Sequence, residues 1–179
     1  MNSACRLPLF SSDDLDLPVA WRDEGGRAVS RSRRRLLAEA ALLAEKMSPH
    51  LAPGAGIVNL CTDRYHFALG FVAGLLLEAV SLQPASHAHE TLAEIAAEYP
   101  GSLCLRDGAD SALPPALRDF PLPDLSLARL DGITQQPEFP VDRVVAILFT
   151  SGSTGRPQAQ RKTWGKLVAN VEAGAQALG

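Results

Sequence analysis

The sequence predicts an α/β fold, with a mainly parallel sheet flanked by helices. Helix and strand signals alternate between residues 56 and 105, and two apolar runs, GIVNL and VVAILF, are continuous rather than alternating. The composition also suits a buried core, with 46% apolar residues and a mean hydropathy of +0.03. Continuous apolar strands joined by helices belong to sheets covered on both faces.

Taken in order, residues 19–22 (VAWR) run into Asp23-Glu24-Gly25-Gly26 and read as a short strand entering a turn. Ser30 can cap a helix reaching about Met47, with Leu36, Leu37, Ala40, Ala41, Leu43, Ala44 and Met47 at helical spacing. Residues 56–60 form a buried strand, and Asp63 opens an apolar helix through Glu78. Residues 79–83 (AVSLQ) return as a strand, residues 90–99 form a helix, and residues 102–105 (SLCL) form the next strand. Between residues 107 and 143 the pattern breaks. Six of the 13 prolines lie from Pro114 to Pro140, which predicts an irregular connection with at most a short hairpin near residues 125–133. VVAILF, residues 144–149, is a buried strand, and a last helix starts near Thr163 with Leu167, Val171, Ala175 and Leu178 on one face. Residues 1–179 read as one unit, without internal repeats.

Charge and cysteine content narrow the function. Seventeen basic against 20 acidic residues give net −3, which supplies no field for nucleic acid. Cys5, Cys61 and Cys104 are far apart, arguing against a disulfide framework or zinc knuckle and for a cytoplasmic setting. The longest apolar stretch, FALGFVAGLLL, is too short to cross a bilayer.

The chemistry concentrates in Thr150-Ser151-Gly152-Ser153-Thr154-Gly155-Arg156-Pro157, directly after the last buried strand. Gly152 and Gly155 let backbone N–H groups converge on an anion, and four hydroxyls add donors. Arg156, Arg161 and Lys162 bring positive charge nearby. Other loop motifs fail on spacing. A nucleoside-triphosphate loop would need glycine where Pro157 stands, and a nucleophile elbow would need glycine at Phe149 or Ser151.

This string resembles the phosphate-binding loop of the adenylate-forming, AMP-binding enzymes: acyl-CoA synthetases, luciferases and peptide-synthetase adenylation domains. Their motif is usually written Ser/Thr-Ser-Gly-Ser/Thr-Thr-Gly-x-Pro-Lys, and eight of nine positions match; the lysine is Gln158. VAWRDEGGRAVSRSRRRLLAEA resembles the family's opening strand, turn and helix, and CTDRYHFALGFVAGLLLEAVSLQPAS the helix and strand that follow. TGRPQAQRKTW is similar to a subset linked to bacterial aryl-polyene and xanthomonadin-type pigment pathways.

The resemblance implies that this chain is part of the large N-terminal domain of an AMP-forming ligase. ATP, with Mg²⁺, would activate a small carboxylic acid, fatty or aromatic, as its acyl-adenylate. The acyl group would then pass to the thiol of CoA or of a phosphopantetheine acyl carrier protein. Thr150, Ser151, Gly152, Ser153, Thr154, Gly155, Arg156 and Lys162 would hold the ATP phosphates. The family's adenine, ribose and metal motifs and its late catalytic lysine follow this loop, so the chain is expected to be an early, incomplete piece without its own metal ligands. The alternative is a non-catalytic phosphate- or nucleotide-binding module, or a degenerate remnant, which the loss of the motif lysine at Gln158 would suit.

Other candidates read as structure. His87 and His89 suit a solvated turn better than a metal site. Arg27, Arg31, Arg33, Arg34 and Arg35 suit an exposed helix start, and Cys61 a small core residue.

Overall fold

The computed structural model describes residues 5–23, 25–108, 112–150 and 158–178. Ten strands and four α-helices follow one another: β1 (Arg6–Pro8), β2 (Pro18–Asp23), β3 (Ala28–Ser32), α1 (Arg33–Met47), β4 (Gly56–Asn59), α2 (Arg64–Leu76), β5 (Val80–Gln83), α3 (His89–Glu98), β6 (Leu103–Arg106), β7 (Arg118–Pro121), β8 (Glu138–Pro140), β9 (Val144–Thr150), β10 (Gln158–Thr163) and α4 (Trp164–Leu178). A single 3-10 turn, Ser48–His50, closes α1.

The main sheet has six strands in the order β10-β9-β5-β4-β6-β7. All neighbours are parallel except β10, which is antiparallel to β9. Strands β2–β3 and β1–β8 form two small antiparallel pairs. The expected parallel sheet flanked by helices is therefore present.

Strand β4 shows why its sequence carries no alternation. Ile57 enters the cluster formed with α1 and α2, beside Leu43, Met47 and Leu69, whereas Val58 enters the cluster under α3, beside Leu92 and Ile95. Both faces are dry, so both must be apolar. A third cluster of Leu75, Phe139, Val145 and Trp164 docks β8 and α4. There the Trp164 ring meets Phe139 edge-on at 5.4 Å, and its Nε1 donates to the Leu7 carbonyl at 3.0 Å.

Helix α2 begins as the sequence predicts: the Asp63 carboxylate accepts from the amides of Tyr65 and His66. It ends without glycine. Glu78 takes φ +59°, and the amides of Glu78 and Ala79 return to the carbonyls of Leu75 and Gly74. This double bond turns the chain back into β5 within four residues of the helix end.

Two expectations need correction, and one strand was not foreseen. Ser30 does not cap α1; it lies in β3 opposite Trp21, and Ser32 caps the helix by accepting from the Arg35 amide. No hairpin forms at residues 125–133. The connection instead contributes β7 to the sheet edge and β8 to the pair with β1, the latter flanked by prolines that edge strands tolerate. Residues 158–163 form β10, although QAQRKT has no apolar face to announce a strand.

Candidate functional site

Strand β9 carries the sequence-predicted loop to the carboxyl edge of the sheet. Its interior residues are buried, Phe149 contacts Tyr99 edge-on at 6.1 Å, and the strand emerges at exposed Thr150. The chain returns as β10, with Gln158 opposite Thr150, Gln160 opposite Leu148 and Lys162 opposite Ala146. The loop is thus the connection of a β-hairpin whose inner strand belongs to the parallel sheet. Ser151, Gly152, Ser153, Thr154, Gly155 and Arg156 lie outside the described residues; Thr150 and Lys162 lie within them.

The hairpin sorts the cations that follow the loop. Successive strand residues point to opposite faces, so Arg161 and Lys162 cannot share one. Arg161 stands opposite Ile147, on the α3 side. There burial raises the Tyr99 phenol above its usual range, Glu98 adds to the rise, and Arg161 opposes it. Lys162 faces the other way and donates to Gln160 Oε1 at 3.3 Å. Four residues of strand separate it from Gln158, on the order of 13 Å.

Beside the hairpin, β5 ends at Gln83, opposite Leu148. The segment after it leads past exposed His87 to His89, the first residue of α3. Among the described residues no group of three potential ligands could hold a metal ion. Three of the clustered arginines have partners within the chain. Arg34 pairs with Asp16 at 3.0 Å, Arg33 donates to the Ser12 carbonyl at 2.8 Å, and Arg35 pairs with Glu39.

A second polar centre, which sequence reading missed, lies further along the same sheet edge. Asp107, just beyond β6, accepts from the amides of Thr62 and Asp63 at 2.9 and 3.0 Å, and from the Thr62 hydroxyl at 3.2 Å. His66 Nδ1 lies 2.9 Å from its other side. Burial alone would raise the Asp107 carboxyl, but these hydrogen bonds together hold it at about 2. Close by, buried Glu39 accepts from the Tyr65 hydroxyl at 2.8 Å and from Arg35. Burial, then the Glu39 carboxylate, pushes the Tyr65 phenol well above its usual range. Cys61, between these groups, is pushed up to about 12 by burial and by Asp107, which leaves it a thiol and not a nucleophile.

Comparison with known proteins places the architecture. No protein-family model matches the sequence, and no curated protein matches it. Solved structures do. O-succinylbenzoate coenzyme A synthetase of Bacillus subtilis, in complex with AMP, is 20% identical at TM-score 0.67, over 84% of this chain and 32% of that one. The NpsA N-terminal subdomain of Klebsiella oxytoca is 20% identical at TM-score 0.58, over 75% of this chain and 36% of that one. A fatty acyl-adenylate ligase from L. pneumophila, in complex with acyl adenylate and pyrophosphate, is 15% identical at TM-score 0.60, over 85% of this chain and 28% of that one. The chain has the fold found in the N-terminal domain of adenylate-forming ligases and spans about a third of the length of these structures. Among the described residues no helix is long and apolar enough to cross a membrane.

Proposed function

We propose that this chain supplies the phosphate-binding part of an AMP-forming acid–thiol ligase. The observation that carries this is the position of the Thr150–Pro157 string. It links the last parallel strand to its antiparallel return at the carboxyl edge of the sheet, in a fold shared with adenylating enzymes. Ligands of open parallel sheets bind at that edge.

In this reading the hydroxyls of Thr150, Ser151, Ser153 and Thr154 and the amides around Gly152 and Gly155 hold the departing phosphates of ATP. Arg156 supplies the local charge that the motif's lysine would otherwise provide. Lys162, on the far part of β10, adds to the field rather than touching phosphate. The loop does no covalent work; it positions and neutralises. Mg²⁺, when bound, would supply further neutralisation of the charge on the departing phosphates. The substrate is a fatty or aromatic carboxylic acid, and the acceptor is the thiol of CoA or of a carrier protein in the cytoplasm.

Acid-dependent ATP–pyrophosphate exchange, measured on the polypeptide that carries this chain, tests the reading. Exchange with one of these acids is the expected result. ATP binding without exchange for any acid would favour the non-catalytic module instead. The 179 residues alone are expected to give no exchange, since a third of a ligase lacks most of the groups that orient ATP and acid.

A further inference from the structure

We propose that the cavity between α1, α2 and the carboxyl ends of β6 and β7 is a second binding site, for an organic anion with an apolar body, anchored by Arg35. The cavity measures about 670 Å³. It lies at the carboxyl edge of the sheet, walled by the segments that leave β6 and β7 and by Tyr65, His66 and Leu69 of α2. A crevice at such a point is the usual ligand position in an open parallel sheet. Three strand spacings, about 14 Å, separate it from β9 and the phosphate loop. The proposal does not depend on the adenylation reading.

The charges in its wall are unevenly engaged. Glu39 is occupied by Arg35 and Tyr65, Asp107 by its four hydrogen bonds, and Asp124 by the amide and hydroxyl of Ser126. Arg106 is clamped by both oxygens of Asp119. Arg35 differs. Its Nε donates to Glu39, its two terminal nitrogens make no hydrogen bond among the described residues, and its side chain is 27% exposed. Those two nitrogens form the planar fork that matches a carboxylate. Arg31 stands on the same wall and reinforces the positive potential, while Leu69, Leu122 and Leu125 offer an apolar surface to the rest of the ligand.

Titrating the 179-residue chain with benzoate and with hexanoate, followed by calorimetry and amide NMR shifts, tests this. Saturable binding is expected, with shifts at Tyr65, Leu69 and Leu122. Arg35→Gln should weaken it about ten-fold or more, the loss of one charge-assisted pair. Ser126→Trp fills the cavity from its exposed rim and should abolish binding even if Arg35→Gln fails to fold. Inorganic phosphate, which has no apolar body, should bind more weakly than benzoate. Gly155→Val should change nothing, which separates this site from the phosphate loop. The proposal is overturned by the absence of saturable binding, by binding that survives Ser126→Trp, by phosphate binding more tightly, or by loss of binding in Gly155→Val.

Discussion

Thr150 and Gln158 are cross-strand partners on the last rung of the β9–β10 ladder. Their Cα atoms are therefore about 5 Å apart, and residues 151–157 must leave and re-enter the sheet through that narrow gate. Thr150 and Gln158 are fixed to a ladder whose inner strand is largely buried, so on the proposed reading mutations between them should act on ligand binding more than on folding.

In the polypeptide that carries this chain, Thr154→Ala removes a donor to a charged oxygen. Hydrogen bonds to charged groups are worth about 1.5–3 kcal/mol, so adenylation should fall on the order of ten- to a hundred-fold. Gly155→Val should cost more, because a β-branched residue resists positive φ and crowds the anion. Transfer from preformed acyl-adenylate should be nearly unaffected, and Gln158→Lys should leave adenylation unchanged or raise it. Equal loss of both half-reactions in folded loop mutants would refute the assignment.

Asp107 should make the fold acid-sensitive. Its carboxyl sits at about 2 in the folded protein against an ordinary 3.8. The depressed value contributes stability that is present above about pH 4 and is lost as pH falls toward 2. With its side chain only 8% exposed, the effect should be about 1–2 kcal/mol. Chemical denaturation of Asp107→Asn across this range should show lower stability at pH 7 and a flatter acid limb than the parent chain.

Gly70 has no room for a side chain. A Cβ there would strike the buried Leu105 methyl and approach the Asn59 amide nitrogen to 2.6 Å. Asn59 uses that nitrogen to reach the Phe67 carbonyl, tying β4 to α2. Gly70→Ala should therefore destabilise by about 1–3 kcal/mol despite alanine's better helix propensity. A denaturant midpoint equal to that of the parent chain would show that the interface relaxes freely.

Val171 is 72% exposed on α4, on the apolar stripe with Leu167. Leu167 packs on the third cluster, so it is the Val171 end of the stripe that is uncovered, and an exposed apolar residue beside the edge strand β10 favours self-association. Sedimentation of the 179-residue chain should show concentration-dependent association that Val171→Lys reduces. Identical profiles for both proteins would place the sticky surface elsewhere.

The parallel core was legible because β4, β6 and β9 are apolar on both faces and helices α2 and α3 separate β4, β5 and β6, with a clear start at Asp63 ahead of α2. Strand β10 was not legible. It is formed by the open edge of β9, and its own residues are polar and cationic, as edge strands tend to be. Strand β3 hid because Ser30 and Ser32 are equally good caps in sequence, and only pairing with β2 chooses between them. The Asp107 centre joins residues 41 to 45 positions apart, a distance at which no local pattern operates. Cys61 was read as a small core residue, and its burial agrees. The Thr150–Pro157 string stood out in the sequence by its run of hydroxyl residues and glycines, and its residues 151–157 lie outside the described residues.

The strand order also sets a sequence of events during synthesis. Strands β4, β5 and β6 all come from residues 56–106 and pair with one another, so their sheet can close while the later chain is still being made. Strand β9 must wait, since its only parallel partner, β5, lies across the long proline-rich connection, and β10 in turn needs the edge of β9. The β9–β10 hairpin is therefore the last part of the sheet to be laid down, on a template already formed. Pulse-labelled hydrogen exchange during refolding should protect the amides of Ile57 and Leu105 before that of Leu148. Until that final rung forms, a nascent or partly refolded chain has its central parallel strands but not the two anchors, Thr150 and Gln158, between which residues 151–157 are strung.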